Sequence, residues 1–174
     1  MRSPKSSKIR YSDPRTKIVS ARKITRIAAQ LRLRGRNVVF TNGSFDVLHV
    51  GHVRYLNEAR NFGDVLVVGL NSDRSVKSYK GPGRPLNPQA ERAEVLSSLG
   101  SVDFVVIFNE PTPLKLIQAI RPSYLVKGSD WQKNQIAGAK EVESWGGKVR
   151  RIRLVPDRST TRMLSLLSQK REGA

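Results

Sequence analysis

Short apolar runs alternate along the chain with segments in which apolar residues recur at helical spacing. The runs predict strands over 38–40, 65–70, 102–108, 124–126 and 149–155. The amphipathic segments predict helices over 20–34, 50–62, 88–99 and 136–145, with two more that begin near 113 and at 159. Alternation of this kind predicts an α/β domain with one Rossmann-like, doubly wound, parallel five-stranded sheet and helices on both faces. In such a sheet, ligands bind at the carboxyl ends of the strands, beside the point where strand order reverses.

Basic residues are concentrated near the amino terminus. Residues 1–36 hold twelve Lys or Arg side chains against one acid, Asp13, whereas residues 37–174 hold twenty against thirteen, within a total net charge of +18. Residues 1–16 are rich in Ser, Pro and basic side chains and lack apolar periodicity, so they predict a disordered or loosely attached arm. The domain is then expected over 17–174. This charge raises nucleic acid as a partner, but its concentration in the arm confines such binding to that arm and makes it non-specific.

Several classes of protein and site are excluded by what the sequence lacks. There is no cysteine, which excludes disulfide bonds and thiolate zinc sites. No apolar run is long enough to span a bilayer and no secretory signal precedes the domain, so a cytoplasmic protein is expected. The patterns of P-loop, dinucleotide-binding and Ser-His-Asp sites are missing, and no cluster of His and carboxylates predicts a metal ion held by the protein.

The first candidate site follows the first strand. That strand ends at an Asn-Gly turn, and the next helix begins with the tetrad His49-Val50-Gly51-His52. Two histidines three positions apart share one face of a helix, and a helix amino terminus favours anions through its free N–H groups and its dipole. Gly51 lets a bulky group approach the backbone. We therefore interpret His49 and His52 as the centre of a site for a reacting phosphate, rather than as two surface histidines.

A Gly/Pro-rich loop carries the second group of candidates. Lys80 and Arg84 lie in this loop, shortly after Lys77. A lysine beside Gly-Pro-Gly is typical of a mobile lid that brings positive charge onto a bound ligand. Arg92, on the following helix, is expected to reach the same place. Solvated surface side chains are the alternative interpretation for each of these residues.

The end of the fourth strand carries the third group, which consists of Lys127, Gly128 and Asp130. Gly128 would let a ligand lie against the backbone, and the two charged side chains would meet charged and hydroxyl groups of that ligand. The alternative is an ordinary turn in which Asp130 caps the next helix.

Three consecutive hydroxyls open the last predicted helix, at Ser159, Thr160 and Thr161. One such residue is a normal helix cap, but three exceed what a cap needs. Hydroxyls together with free N–H groups predict contacts to the far phosphates of a nucleotide.

Together these clusters resemble the nucleotidyltransferase superfamily that is marked by an H-x-G-H signature, and among its families the heptose 1-phosphate adenylyltransferases. The resemblance covers residues from about 17 to 167. The segments that carry it are T-N-G-S-F-D-V-L-H-V-G-H at 41–52, V-G-L-N-S-D at 68–73, K-G at 80–81, R-P-L-N-P at 84–88, V-K-G-S-D at 126–130 and S-T-T at 159–161. The signature alone is weak evidence, whereas the full set in this order is strong.

The resemblance implies an adenylyltransferase with this fold. Such an enzyme would transfer AMP from ATP to D-glycero-D-manno-heptose 1-phosphate and release pyrophosphate, normally with Mg²⁺. It implies a homodimer and a separate sugar kinase that acts upstream. A sugar 1-phosphate is already an anion, so the reaction needs no general base, and positioning with electrostatic stabilisation would carry the catalysis.

Each candidate residue has an expected role in that reaction. Catalysis is expected from His49, His52 and Lys80. Contacts to ATP are expected from Asn42, Gly43, Ser44, Phe45, Gly51, Arg92, Lys127, Gly128, Asp130, Ser159, Thr160 and Thr161. Contacts to the sugar phosphate are expected from Asp46, Asn71, Asp73, Lys77 and Arg84.

Three alternatives remain open at this point. The same signature serves cytidylyltransferases that act on glycerol 3-phosphate or a similar phosphoalcohol. Nucleic-acid binding is the alternative from another class, motivated by the net charge of +18, although aromatic residues make up only 6% of the chain and no nucleic-acid motif is present. The third is a scaffold role in which the basic arm attaches the protein to acidic lipid or to a partner.

Overall fold

A computed structural model describes residues 12–153 of the chain. The predicted helix from 159, with Ser159, Thr160 and Thr161, lies outside these residues, as does most of the predicted arm. The helices are Ala21–Leu33 (α1), Val50–Arg60 (α2), Asp73–Lys80 (α3), Gln89–Ser97 (α4), Leu114–Ile120 (α5) and Ala139–Ser144 (α6). The strands are Val38–Gly43 (β1), Val65–Asn71 (β2), Phe104–Phe108 (β3), Tyr124–Gly128 (β4) and Lys148–Ile152 (β5). Short 3₁₀ turns cover Pro14–Lys17 and Lys133–Gln135.

The five strands form one sheet in the order β3-β2-β1-β4-β5, and every pair is parallel. The predicted α/β fold class is confirmed. Because side chains alternate across a strand, neighbouring residues of β1 enter different cores. Val38 and Phe40 pack with α1, α5 and α6 on one face, whereas Val39 packs with α2 and α4 on the other. Both faces of the sheet are therefore covered by helices, and burial of these apolar side chains is the main stabilising contribution.

Helix α3 is absent from the sequence prediction, which placed only a short basic stretch before the Gly/Pro loop. Ser72 caps the helix, since its hydroxyl accepts a hydrogen bond from the N–H of Ser75, and the first turn holds Asp73. Both features favour a helix start. Val76 is its one fully buried apolar side chain, so the apolar spacing used for the other helices is too sparse to detect it.

Two other predicted elements are shorter in the structure. The helix predicted over 136–145 is limited to α6, because Gly138 precedes it with a φ of +86° and interrupts the helical backbone. The strand predicted over 102–108 begins only at Phe104, since Val102 donates its N–H to the carbonyl of Leu99 in a turn. No helix among residues 12–153 combines the length and the apolar character needed to cross a bilayer.

The segment before α1 is attached to the sheet. Asp13 caps the first 3₁₀ turn, and the ammonium of Lys17 donates to the carbonyls of Leu99 and Val102 at 3.2 and 2.9 Å. Ile18 forms a parallel bridge with Val105 of β3. Residues 13–16 thus adopt a defined turn, which differs from the loosely attached arm expected there. Helix α1 is capped by Ser20, whose hydroxyl accepts from the N–H of Lys23 at 3.2 Å.

The sheet opens where its strand order reverses, between β1 and β4. These strands pair only through Val39 with Tyr124 and Phe40 with Leu125. Beyond these pairs, a side chain connects the two strands in place of backbone hydrogen bonds. The buried hydroxyl of Tyr55, on α2, lies 2.7 Å from the Thr41 hydroxyl of β1 and donates to the Val126 carbonyl of β4 at 3.1 Å.

Removal of this hydroxyl should destabilise the domain. Tyr55→Phe leaves buried polar groups of β1 and β4 without their partner, and we expect a loss of about 1–3 kcal/mol in the free energy of unfolding. Urea unfolding followed by circular dichroism measures the loss. Tyr124→Phe is the control, because it keeps the ring that stacks on Phe62 at 6.1 Å and should change stability by less than about 0.5 kcal/mol. Equal losses in both variants would show that the hydrogen bonds of the Tyr55 hydroxyl do not contribute specifically to the free energy of unfolding.

Candidate active site

A cavity of about 730 Å³ lies at the carboxyl edge of the sheet, over the opening between β1 and β4. This is the place that the fold rule for parallel sheets predicts. Most of the predicted site residues in the described part of the chain line it, namely Asn42, Gly43, Ser44, Phe45, Asp46, His49, Gly51, His52, Asn71, Lys80, Lys127, Gly128 and Asp130. Its size is within the range of pockets that bury a small-molecule ligand.

The two histidines lie side by side at the start of α2. His49 is the N-cap residue, and its ring stacks on that of His52 with the centroids 3.9 Å apart. The rings of Phe45 and His52 pack edge to face, with their centroids 5.2 Å apart. Burial lowers the pKa of His52 to about 4, and the neighbouring charges of His49 and Lys80 act in the same direction. His52 is therefore neutral at pH 7, and an anion placed between these groups would raise its pKa again.

The loop after β1, which precedes the histidine pair, contains a strained residue. Phe45 has a φ of +43°, a left-handed conformation that is costly for a bulky side chain. Its ring turns back over Gly43, where an added Cβ would come within 3.1 Å of the ring. A side chain at position 43 would therefore displace the ring. Gly43 thus permits the close approach of Phe45, and it also lines the cavity.

Lys80 reaches the same loop from the end of α3. Its ammonium donates to the Ser44 hydroxyl at 3.0 Å. Burial lowers the pKa of Lys80, Arg84 and Arg92 lower it further, and Asp46 opposes them. The site therefore brings an ammonium group beside the two imidazoles, as expected for binding several phosphates.

The opposite wall is built on β4. The Lys127 ammonium donates to the carbonyl and side-chain oxygens of Asn42 at 3.3 and 3.1 Å, and lies 5.0 Å from the centre of the Trp131 ring. Burial lowers the pKa of Lys127 to about 8, while Asp130 opposes the shift. Lys127 thus ties β4 to β1 across the opening and presents a cation to the cavity.

Four predicted ligand-binding residues do not line the cavity, namely Asp73, Lys77, Arg84 and Arg92. Arg92 was expected to contact ATP, but its guanidinium is 1% exposed and pairs with Asp73 at 2.7 Å. Arg84 pairs with Asp46 at 2.7 Å, and Lys77 lies exposed on α3 outside the cavity. Asp46 does line the cavity, but its carboxylate already accepts hydrogen bonds from donors of the protein. In the structure the charges of Arg84 and Arg92 are paired with carboxylates of the protein, and the ligand contacts expected of these residues stay predictions.

Comparison with known proteins gives the family. Residues 40–166 match the family model described as cytidylyltransferase-like. The chain belongs to the cytidylyltransferase-like family. It is 55% identical over 137 residues, 79% of its length, to the bifunctional protein HldE of Methylobacillus flagellatus. It is 50% identical over 154 residues, 88% of its length, to the protein of the same name from Geotalea uraniireducens. The chain spans 28% and 31% of the length of these two relatives.

A solved structure supports the cytidylyltransferase-like architecture. The crystal structure described as the lipopolysaccharide core biosynthesis protein of Thermoplasma volcanium superposes with a TM-score of 0.57 at 27% identity. The match covers 70% of this chain and 98% of that one.

The cytidylyltransferase-like site contains residues that sequence reasoning did not select. Tyr79 and Ser78 of α3, the Pro111–Pro113 loop after β3, and Trp131 with Gln135 after β4 all line the cavity. Tyr79 was missed together with its helix. The loop after β3 offered a usable signal, because Pro-Thr-Pro follows within a few residues of a strand whose carboxyl end faces the site.

A metal ion bound by the protein alone finds no ligand set in the described residues. Between 12 and 153, no three His, Cys, Asp or Glu side chains come together as ligands. The Asp46 carboxylate already accepts hydrogen bonds from Arg84, Leu86 and Asn87. These residues therefore do not fit a resident metal centre.

Proposed function

We propose that this chain is an adenylyltransferase that transfers AMP from ATP to D-glycero-D-manno-heptose 1-phosphate and releases pyrophosphate. The observation that carries the proposal is the stacked pair His49 and His52 at the amino terminus of α2, with Lys80 beside it in the cavity. Further support comes from the motifs that resemble heptose 1-phosphate adenylyltransferases, and from the identity of about half to the HldE proteins. Mg²⁺ would enter with ATP as part of the substrate, because this ion is commonly bound through substrate phosphates.

The reaction needs little covalent chemistry from the protein. An oxygen of the sugar phosphate attacks the α-phosphorus of ATP, a new O–P bond forms, and the bond from that phosphorus to pyrophosphate breaks in line. His49 and His52 would hold the α- and β-phosphates, while Lys80 neutralises charge that develops on the departing oxygens. The dipole of α2 adds a fixed positive field. No covalent enzyme intermediate forms in this scheme, and a phosphohistidine trapped from labelled ATP would refute it.

The two substrates would occupy opposite sides of β1. On the β4 side, Lys127, Asp130 and Trp131 offer charges and an aromatic face, which suit a nucleotide. On the β2 and β3 side, Asn71 and Thr112 offer neutral hydrogen-bonding groups, which suit a polyhydroxylated sugar. The histidine pair lies between them, where the two phosphates must meet.

Variants on the two sides should therefore affect different Michaelis constants. Thr112→Val removes one neutral hydrogen bond and should raise KM for the sugar phosphate about 2–10-fold, with KM for ATP nearly unchanged. Trp131→Ala should have the reverse effect, about 5–10-fold on KM for ATP, because stacking is lost. Initial rates with each substrate varied in turn measure both constants. If both variants raise the same constant, the division of the cavity is wrong.

A crossed assay tests the function itself. Pyrophosphate release is measured from ATP and from CTP, each with heptose 1-phosphate and with glycerol 3-phosphate. Turnover confined to ATP with the heptose supports the proposal. Turnover with CTP and glycerol 3-phosphate would favour the cytidylyltransferase alternative, which the description of the family model also motivates. Silence in all four would overturn both enzyme assignments.

The proposed reaction also implies the surroundings of the enzyme. A sugar kinase must supply the 1-phosphate, and an enzyme that uses the product as a sugar donor must consume it. We place the reaction in the cytoplasm, where ATP is available, and infer a homodimer from the family resemblance. The basic residues before the domain would give at most non-specific attraction to nucleic acid.

A further inference from the structure

A buried carboxylate joins the loop after β1 to the segment that follows Lys80. The Asp46 carboxylate accepts hydrogen bonds from the N–H groups of Leu86 and Asn87 at 2.7 and 3.1 Å, and from the Arg84 guanidinium at 2.7 Å. The Asp46 carbonyl accepts from the side-chain amide of Asn87 at 2.6 Å. The side chain of Asp46 is fully buried. Although burial raises the pKa of Asp46, the bonds from Asn87, Leu86 and Arg84 lower it below its usual range, so the group is ionised.

A buried guanidinium joins the same parts from the other side. Arg92 donates to the carbonyl of Ser44, to the carbonyl of Asn87 at 2.9 Å and to the carboxylate of Asp73 at 2.7 Å. These three acceptors belong to the loop after β1, to the end of the Gly/Pro loop and to the start of α3. Asp46 and Arg92 together, here called the clamp, therefore fix both ends of the element that carries Lys80.

Lys80 itself has little else to hold it. It lies at the last position of α3 and is only partly buried, and the one hydrogen bond of its ammonium among the described residues goes to the Ser44 hydroxyl. Gly81 and Gly83 follow with φ values of +84° and +78°, and glycine backbone of this kind is readily rearranged. The position of the Lys80 ammonium thus depends on the two ends that the clamp fixes.

We propose that Asp46 and Arg92 are positioning residues that act through Lys80, holding its ammonium over the reacting phosphates. The proposal rests on the proposed function for the role of Lys80. Arg84 is paired with Asp46 and Arg92 with Asp73, so neither arginine lines the cavity and Lys80 is left to face the substrate. Loss of the clamp should lower kcat through misplacement of one cation, and leave the ATP contacts on the β4 side in place.

A double-mutant cycle between Asp46 and Lys80 tests this. Asp46→Asn should lower kcat about 10–100-fold while KM for ATP changes less than about 3-fold, because misplaced groups cost rate more than binding. Lys80→Met should lower kcat by about 100-fold or more. In the Lys80→Met background, Asp46→Asn should lower kcat by less than about 3-fold. Effects that multiply fully would overturn the proposal, since Asp46 would then act independently of Lys80.

The matched control is Asp103→Asn. Asp103 also accepts from a backbone N–H, that of Leu66 at 2.8 Å, and pairs with an arginine, Arg60 at 2.8 Å, but it does not line the cavity. It should lose stability with kcat unchanged. If Asp46→Asn fails to fold, Arg84→Gln removes a single contact and should still lower kcat, again only when Lys80 is present.

The two proposals fail in different ways. If the native chain uses CTP and glycerol 3-phosphate, the cycle is measured with that pair and the clamp is tested unchanged. If the native chain turns over ATP and the heptose while Asp46→Asn retains full kcat, the function stands and the clamp is refuted.

Discussion

His52→Ala is expected to lower kcat about 10²–10³-fold, with a much smaller change in KM for ATP. The imidazole is stacked on His49 at the amino terminus of α2 and lines the cavity. In the proposed reaction its contact to the phosphate strengthens as charge builds up in the transition state, so its loss affects the rate more than ground-state binding. Steady-state rates of pyrophosphate release, with each substrate varied, measure both constants.

Asn57→Ala provides the comparison, because Asn57 is exposed on the same helix and does not line the cavity. It should leave kcat and KM within experimental error of the native chain. A His52→Ala variant with native kcat would remove His52 from the reaction. A rise of about 10²–10³-fold in KM for ATP, with kcat unchanged, would make His52 a binding residue only.

The second large effect is on stability in acid. In the folded chain the pKa of His52 is lowered from 6.5 to about 4 by burial, with His49 and Lys80 adding to the shift. Between these two pH values the unfolded chain binds a proton at this residue and the folded chain does not, so stability rises with pH in this window. As the pH falls from 6.5 to about 4, His52 should therefore cost the fold about 2–4 kcal/mol.

Urea unfolding of the native chain and of His52→Gln, at a series of pH values, isolates this contribution because the other titrating groups are common to both. The difference in unfolding free energy should be constant above pH 6.5, the ordinary value for this group, and should change steadily below it. Saturating ATP should reduce the change, since bound phosphate favours the charged imidazole. Parallel curves from pH 7 to pH 4 would mean that His52 titrates normally.

The fold was predictable because four of its five strands contain short apolar runs, whereas β5 alternates apolar with basic residues. The run 65–70 is buried on both faces in β2 and cannot be confused with a surface segment. Helix α3 was not predictable from apolar spacing, since it buries little besides Val76. Its position is fixed instead by contacts with residues distant in sequence, such as the hydrogen bond from the Ser75 hydroxyl to the carbonyl of Glu110 at 3.1 Å.

The candidate site divides in the same way. Topology brings strand ends together, so His49, Lys80 and Lys127 could be assigned to one cavity from the sequence. What the sequence does not reveal is whether a charged residue faces a ligand or another charge of the protein. Asp46 and Arg84 are 38 positions apart and form an ion pair, and a single sequence carries no sign of that contact.

The opening between β1 and β4 has a consequence for how such a domain can change over time. Past Phe40 the two strands are joined through the side chains of Tyr55 and Lys127, rather than through their backbones. The width of the opening between β1 and β4 therefore depends on two side chains. Substitution of Lys127 would change the cavity at this point without removing a strand pairing, whereas substitution of Tyr55 would also cost stability.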